Sequence, residues 1–255
     1  HTRGKEAPMF ENYTSASVNM PAVLIANGLG ICLMLAILLS RYRRTRTTSI
    51  DGKLFYSMCL LCFVLCTVET TGFLLEGQTF FPARQLSLLC SAVTLCLAAV
   101  LAFLWICYVD YRLFQDHARL EKYYPFAAIP ALLICAAAVC NLFSAVFFWV
   151  TEDNVYYRTP LFLLPCAVVY CYITYGAVLS YHYRKRSSLY LFMPVLTFLI
   201  PVYLGSIIQL TTYGIALIWV SVALGLTLLY ISLQSEDIYL DPLTNLYNRN
   251  YLMHY

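Results

Sequence analysis

Charged residues are scarce in this sequence, and they avoid its long apolar stretches. Asp, Glu, Lys and Arg make up 11% of the 255 residues, whereas hydrophobic residues make up 61% and the mean hydropathy is +0.71. A soluble domain of this length could not bury so much apolar surface. We therefore expect an integral membrane protein whose main partner is the lipid bilayer. The net charge of +3 is too small and too dispersed for a nucleic-acid partner.

Several reactive groups are also missing from the apolar stretches. None of the four lysines lies there, which excludes a retinal-binding pump, and none of the four histidines does, which argues against haem. The sequence has no H-E-x-x-H pair, no pair of intramembrane aspartates and no G-x-S-x-G turn, so an intramembrane protease would lack its reactive groups. We predict no catalytic residue and no cofactor in this chain.

The 11 cysteines all fall within apolar stretches, so none is placed in an exterior loop to form a disulfide bridge. Cys59, Cys62 and Cys66 share one helix face, which leaves two interpretations open. Small side chains allow close helix packing, whereas three thiols could bind a soft metal ion. Close packing is favoured, and we predict no metal site.

Seven apolar stretches are long enough to cross a bilayer, which requires about 20 helical residues each. They lie near residues 21–40, 54–75, 85–109, 125–150, 159–181, 189–209 and 214–233. The sequence thus predicts an all-α seven-transmembrane helix bundle over residues 21–233. Residues 1–20 form an extracellular tail, and residues 1–8, which lack an initiating Met, are expected to be an expression remnant. Prolines within the predicted spans should kink them, namely Pro130, Pro165, Pro194 and Pro201.

Basic residues are distributed unevenly over the predicted connections. Eleven Lys and Arg residues lie in the connections on one side, beginning with the run Arg41, Arg43, Arg44 and Arg46, and only Arg84 and Arg158 lie on the other. Basic residues are retained on the cytoplasmic side of a membrane. This bias predicts an N-terminus outside the cell and a cytoplasmic C-terminus.

A motif follows the last apolar stretch, within residues 234–255. Its pattern is D-x-L-T-x-L-x-N-R-x-x-L, formed by Asp241, Leu243, Thr244, Leu246, Asn248, Arg249 and Leu252. This segment resembles the start of GGDEF-type diguanylate cyclase domains, which join two GTP molecules into cyclic di-GMP. The family usually has Gly where Asn245 stands, and Asn tolerates left-handed backbone almost as well. The alternative is an ordinary Asx-turn and helix start after a membrane span.

The resemblance implies that residues 234–255 are a signalling linker and the start of a cyclase domain. The catalytic positions of that family would follow Tyr255, so we expect this chain alone to make no cyclic di-GMP. Mg²⁺ and GTP are expected only for the cyclase domain, which works as a homodimer in the family. Seven helices before a GGDEF start look like the sensor regions of bacterial cyclases, which are multi-pass proteins of the inner (plasma) membrane.

Glu69 is the one strong candidate for an ionisable residue inside a span, and such residues are costly unless they serve a function. With Asn27, Asn141 and Gln209, it belongs to a set of polar residues in the predicted outer halves of the spans. We predict a small-molecule pocket around Glu69, Asn141 and Gln209, with Arg158 and Arg84 at its rim. The alternative is simple hydrogen bonding between helices.

These observations together predict a membrane receptor that binds an extracellular small molecule and regulates a C-terminal diguanylate cyclase. Two alternatives remain open at this point. One is a small-solute transporter or permease fragment, which the odd number of spans and the single buried carboxylate disfavour. The other is a sensor coupled to an output that is not a cyclase.

Overall fold

The computed structural model of the protein describes residues 18–41, 49–183, 192–212 and 214–239. Within these residues the chain forms eight α-helices, a two-stranded antiparallel β-hairpin and one turn of 3-10 helix at Pro160–Phe162. The helices are α1 (Met20–Arg41), α2 (Ile50–Leu75), α3 (Ala83–Phe114), α4 (His117–Ala127), α5 (Ile129–Cys140), α6 (Leu163–His182), α7 (Phe192–Thr211) and α8 (Ile218–Tyr239). The strands are β1 (Phe148–Val150) and β2 (Tyr156–Arg158).

The architecture is that of an all-α membrane protein. Among the described residues, five helices are long and apolar enough to cross a membrane, and the number becomes six if the bent pair α4 and α5 forms one span. The apolar part of α8, Ile218–Gln234, is shorter than these five helices. The seven predicted stretches therefore correspond to five long helices, one bent pair and one shorter apolar helix.

Helix α3 lies at the centre of the bundle, where it packs against α2, α5 and α6. Helix α8 packs against α1, α2 and α7, and closes the bundle on the other side. The core between them holds large, fully buried side chains from several helices, including Trp105, Tyr108, Phe198 and Leu226. Burial of such side chains contributes about 1.5–3 kcal/mol each when the alternative is water.

The predicted fourth span, residues 125–150, differs from the structure. Pro130 lies at the first turn of α5, where its missing N–H breaks the hydrogen bonding between α4 and α5, and the two helices meet at 42°. Helix α5 ends at Cys140, and the apolar residues Phe148–Val150 form β1 instead of continuing the helix. The prediction of one continuous span was wrong because length and hydropathy do not distinguish a buried strand from a helix.

Strand β1 pairs with β2 in antiparallel register, with Phe148 opposite Arg158 and Val150 opposite Tyr156. Phe148 and Val150 point into the protein, whereas Trp149 points outward and stacks on Tyr157 at 5.3 Å between ring centroids. This alternation is the period of two that a half-buried strand requires.

The β-hairpin lies at one end of the bundle, called the hairpin end below. At this end α2, α5 and α7 finish and α1, α3, α6 and α8 begin, and the opposite end is called the far end. The start of α1 is joined there to the start of α8 by a hydrogen bond from Asn19 N to Gly214 O of 3.1 Å. At the far end, Asp116 caps α4 by accepting hydrogen bonds from the backbone of Ala118 and Arg119.

Candidate functional site

A cavity of about 260 Å³ lies at the hairpin end of the bundle. Its wall is formed by α2, α3, α6, α7, α8 and the β-hairpin, and most of it is apolar. Polar side chains enter the cavity from several of these elements, including Glu69, Glu76, Ser87, Asn154, Arg158 and Gln209. An apolar cavity with a few converging polar groups is the usual form of a small-molecule site.

The Glu69 carboxylate links α2, on which it lies, to α1 and α7. Its Oε2 accepts a hydrogen bond of 3.0 Å from Asn27 Nδ2 on α1, and its Oε1 accepts one of 3.1 Å from Gln209 Nε2 on α7. Among the ion pairs that involve described residues, none includes Glu69. The carboxylate is therefore held by neutral donors within the part of the chain that the structure describes.

Gln209 connects this carboxylate to the start of α8. Its Oε1 accepts hydrogen bonds from the backbone N–H groups of Leu217 and Ile218, at 2.5 and 2.6 Å. These groups belong to the first turn of α8, where a helix lacks internal acceptors. The cap also fixes the orientation of the Gln209 amide, because its oxygen must face α8 and its nitrogen must face Glu69.

Asn27 supports Glu69 from outside the cavity. Its side chain is fully buried between helices, and it does not belong to the cavity wall. Its Oδ1 has no hydrogen-bond partner among the described residues. Asn27 therefore positions the Glu69 carboxylate and does not contact the cavity itself.

The hairpin is held against the helices by two residues that the sequence analysis assigned to the pocket. Asn141 Oδ1 accepts from the backbone N–H groups of Phe147 and Phe148, and its Nδ2 donates to Phe148 O at 3.0 Å. Arg84 donates twice to Val150 O, at 3.2 and 3.1 Å. Neither side chain lines the cavity, so the prediction that they form its wall or rim is corrected. Their partners are backbone groups, so both side chains help to hold the hairpin against the helices.

Asn154 in the hairpin turn was not singled out by the sequence analysis. Its Nδ2 donates to Leu75 O at 2.5 Å and to Gln78 O at 3.2 Å, which ties the turn to the end of α2. Its backbone has a positive φ of 57°, a conformation that Asn tolerates better than most residues. The only available signal was the run of polar residues Glu152, Asp153 and Asn154, which indicates a turn but not its contacts.

Two buried polar atoms of the cavity wall have no hydrogen-bond partner in the described structure: Ser87 Oγ and Asn154 Oδ1. Ser87 is 8% exposed and Asn154 is 1% exposed, and both line the cavity. Buried polar atoms normally have partners, because an unsatisfied one costs about 1–3 kcal/mol. These atoms are therefore candidates for contact with a bound molecule.

Arg158 is exposed and lines the cavity, so it marks the mouth of the cavity. Its guanidinium group lies over the ring of Phe162, with Cζ 4.7 Å from the ring centroid. Nearby, burial raises the pKa of Tyr156 to about 12, although Arg158 acts in the opposite direction. Tyr156 thus keeps its hydroxyl proton at neutral pH and can donate a hydrogen bond.

A layer of tightly packed side chains closes the floor of the cavity. The Trp105 and Phe198 rings stack with centroids 4.0 Å apart, one helical turn below the cavity wall. Two glycines make room for them: a Cβ on Gly176 would lie 2.6 Å from Trp105 Nε1, and a Cβ on Gly225 would lie 2.8 Å from Phe198. These four residues, called the floor layer below, join α3, α6, α7 and α8.

Aromatic contacts continue from the floor layer to the far end. Trp105 stacks on Tyr108 at 6.2 Å between ring centroids, Tyr108 contacts Phe55 at 6.3 Å, and Phe55 stacks on Tyr230 of α8 at 6.2 Å. The Tyr230 hydroxyl is hydrogen-bonded to Ser40 of α1. A continuous line of rings thus leads from the cavity floor to the second half of α8.

The structure brings Glu69, Gln209 and Arg158 to one cavity and places Asn27 behind Glu69. Cys59, Cys62 and Cys66 are fully buried, and Cys66 packs closely against Gly30 of α1. Among the described residues, no three His, Cys, Asp or Glu side chains are placed to hold a metal ion. The chemistry that this arrangement can perform is the binding of a small molecule.

The motif that resembles a GGDEF start lies outside the described residues. It comprises Asp241, Leu243, Thr244, Leu246, Asn248, Arg249 and Leu252. No protein-family model matches this sequence, and no curated protein is significantly similar to it. The function is therefore inferred from the motif and from the cavity.

Proposed function

We propose that this protein is a seven-helix membrane receptor that binds an extracellular small molecule in the cavity and regulates a C-terminal diguanylate cyclase. In this proposal the hairpin end faces the outside of the cell and the far end faces the cytoplasm, as the distribution of basic residues favours. The bent pair α4 and α5 and the shorter helix α8 complete the seven spans. The protein resides in the bacterial inner membrane.

The observation that carries the proposal is the double contact of Gln209. The same side chain bonds to Glu69 in the cavity wall and to the first turn of α8. Because one amide serves both, a ligand that binds the Glu69 carboxylate acts on a side chain that also caps α8. A binding event is thereby coupled to the helix that precedes the motif at Asp241.

The remainder of α8 supports a path to the cyclase. The helix continues to Tyr239, so one residue, Leu240, separates it in the sequence from Asp241 at the start of the motif. Tyr230 is the last ring in the line of aromatic contacts that begins at the cavity floor. We propose that the cyclase domains of a homodimer, each with GTP and Mg²⁺, are brought together or apart by movements of the two α8 helices.

The transporter alternative requires a route past the floor layer. Trp105 and Phe198 fill that position with stacked rings, and Gly176 and Gly225 bring the neighbouring helices into contact with them. A closed floor suits a receptor, which needs access from one side only. Solute uptake into proteoliposomes that contain the purified protein would favour the transporter.

The experiment that tests the proposal compares Glu69→Gln with wild type in the full-length protein, in membranes supplied with GTP and Mg²⁺. Gln at position 69 presents an NH₂ group toward one of two amide donors, so one hydrogen bond of the network is lost. Loss of one bond worth about 1.4 kcal/mol corresponds to a change of about tenfold in the balance between two states of α8. We expect the rate of cyclic di-GMP synthesis to change severalfold, with no added ligand.

The matched control is Glu152→Gln, the same chemical change at an exposed position of the hairpin turn. It should leave the rate unchanged at equal amounts of protein. If the full-length protein makes no cyclic di-GMP, the cyclase assignment is wrong. If it makes the product and Glu69→Gln behaves like Glu152→Gln, the cyclase stands and the coupling through Glu69 is refuted.

A further inference from the structure

We propose that the cavity binds a small, elongated amine, whose ammonium group is held by Glu69 and whose opposite end carries a hydroxyl group that bonds to Ser87 and Asn154. This inference rests on the proposed function, since it names the chemical class of the ligand for the same cavity. It follows from the charge of Glu69, from the positions of the unsatisfied polar atoms and from the size and character of the wall.

The charge state of Glu69 follows from its hydrogen bonds. Both of its oxygens accept hydrogen bonds, and the orientation of Gln209 is fixed by its cap on α8. A protonated carboxyl group would have to donate from one of these oxygens, whereas a carboxylate accepts at both. The arrangement suits the ionised form. A carboxylate has room for more than two hydrogen bonds, so a donor in the cavity can still bind it.

The charges of the cavity wall lie at two depths. The Glu69 carboxylate and the Arg158 guanidinium group both line the cavity, and in the described structure they form no ion pair with each other. Arg158 lies at the exposed mouth, over Phe162, whereas Glu69 lies deeper along α2. A buried charge is stabilised by an opposite charge close to it, and an ammonium ion supplies one.

The second polar group of the cavity lies nearer the hairpin end than Glu69. Gly72 of α2 lies beside Cys90 of α3, since a Cβ added to Gly72 would be 3.8 Å from Cys90 Cβ, and this contact aligns the two helices. Glu69 lies three residues below this level and Ser87 three residues above it, because α2 and α3 are antiparallel neighbours. At 1.5 Å per residue the two side chains are about 9 Å apart along the bundle. Asn154 joins the end of α2, and so lies at the Ser87 level.

The Ser87 level holds one unused acceptor and one unused donor. The Asn154 Nδ2 group already donates to two carbonyl groups, which fixes Oδ1 as an acceptor without a donor. The Ser87 hydroxyl can donate, and it has no partner in the described structure. A ligand hydroxyl satisfies both atoms, since it donates to Asn154 Oδ1 and accepts from Ser87 Oγ.

The body of the ligand lies against an apolar wall. Phe73 lines the cavity between the two polar levels, and apolar side chains such as Val68, Leu95 and Ala98 extend the wall beyond Glu69, with Trp219 and Tyr170 among the aromatic ones. The volume of about 260 Å³ is below the range of about 300–1,000 Å³ typical of sites for drug-sized molecules. A ligand with a single aromatic ring fits this volume, and the aromatic side chains of the wall also attract its ammonium group.

The test uses five related probes and the purified protein in lipid nanodiscs, with binding measured by calorimetry. The probes are tyramine, 2-phenylethylamine without the hydroxyl, the uncharged alcohol tyrosol, the anion 3-(4-hydroxyphenyl)propionate and the zwitterion tyrosine. We expect tyramine to bind most tightly and 2-phenylethylamine about tenfold more weakly, as for one lost hydrogen bond. The alcohol and the anion should not bind measurably, and tyrosine should bind less tightly than tyramine.

Two substitutions assign the contacts. Glu69→Gln should weaken tyramine binding by about tenfold or more, whereas Glu152→Gln should not change it. Ser87→Ala should weaken tyramine binding but leave 2-phenylethylamine binding unchanged, which also checks the site without altering Glu69. Equal or tighter binding of the alcohol, the anion or tyrosine would overturn the inference, and so would the failure of both amines to bind. In that case a changed cyclase rate in Glu69→Gln would still support the receptor function.

Discussion

At the scale of single residues, Gln209 has the most demanding position in the described structure. Its amide oxygen caps α8 and its amide nitrogen bonds to Glu69, so both ends of one side chain are used. A Leu side chain at position 209 could make neither the hydrogen bond to Glu69 nor those to α8. Glu could cap α8 but would place a second carboxylate beside the first. The position therefore requires an amide of this length.

We predict that Gln209→Leu lowers the stability of the protein by about 1–2 kcal/mol, because the first turn of α8 loses its acceptor and Glu69 loses a donor. The measurement is the midpoint of thermal unfolding in one detergent. Gln85→Leu on α3 is the control, since Gln85 is exposed and no hydrogen bond of its side chain is described. Equal midpoints for the two variants would contradict the assignment of Gln209 as a cap.

The sequence could identify Glu69 but not all of its neighbours. A carboxylate in an apolar stretch is a strong signal whatever the packing, because the cost of burial depends on the residue itself. The roles of Asn141 and Arg84 depend on a hairpin that hydropathy does not reveal. Asn154 gave only the signal of a turn and Ser87 gave none, because an unsatisfied polar atom can be recognised only once the surrounding packing is known.

At the scale of elements, the long helices were largely predictable and the hairpin was not. The residue bounds of α2, α3 and α6 agree closely with three predicted stretches. A continuous apolar run of this length has few stable conformations in a membrane other than a helix. Residues 141–150 are almost as apolar, but they form a turn and strand β1, which packs against α3. The break before α5 agrees with the expectation that Pro130 would disturb its span.

The floor layer provides a prediction about helix packing. Gly176→Ala places a methyl group 2.6 Å from Trp105 Nε1, and we expect it to destabilise the protein by about 1–3 kcal/mol. The control is Gly28→Ala in α1, where no atom lies within 4 Å of the added Cβ. That change should be neutral or stabilising by up to about 1 kcal/mol. If the midpoint of thermal unfolding of Gly176→Ala is equal to that of Gly28→Ala or higher, the floor is not tightly packed.

At the scale of the whole molecule, the orientation in the membrane decides which solutes reach the cavity. The proposed orientation places the hairpin turn outside and the start of α4 inside. Glu152 and Lys122 are exposed residues in these two segments and provide suitable positions for labelling.

We predict that Glu152→Cys reacts with an impermeant maleimide in intact cells, whereas Lys122→Cys reacts only after the cells are permeabilised. Labelling of the parent protein, with its native cysteines, gives the baseline for both. If Lys122→Cys is labelled in intact cells and Glu152→Cys is not, the bundle is inserted in the opposite direction. The cavity would then open to the cytoplasm.

The floor layer also divides the residues of the bundle into two groups that differ in how freely they can vary. Residues above it, such as Ser87, line the cavity, so they can change with the ligand while the floor layer stays the same. Gly176 and Gly225 have no such freedom, because any larger side chain meets an aromatic ring. Sequences descended from a common ancestor with this one should therefore vary in the cavity wall while they keep both glycines, so that new ligand specificities arise on an unchanged internal support.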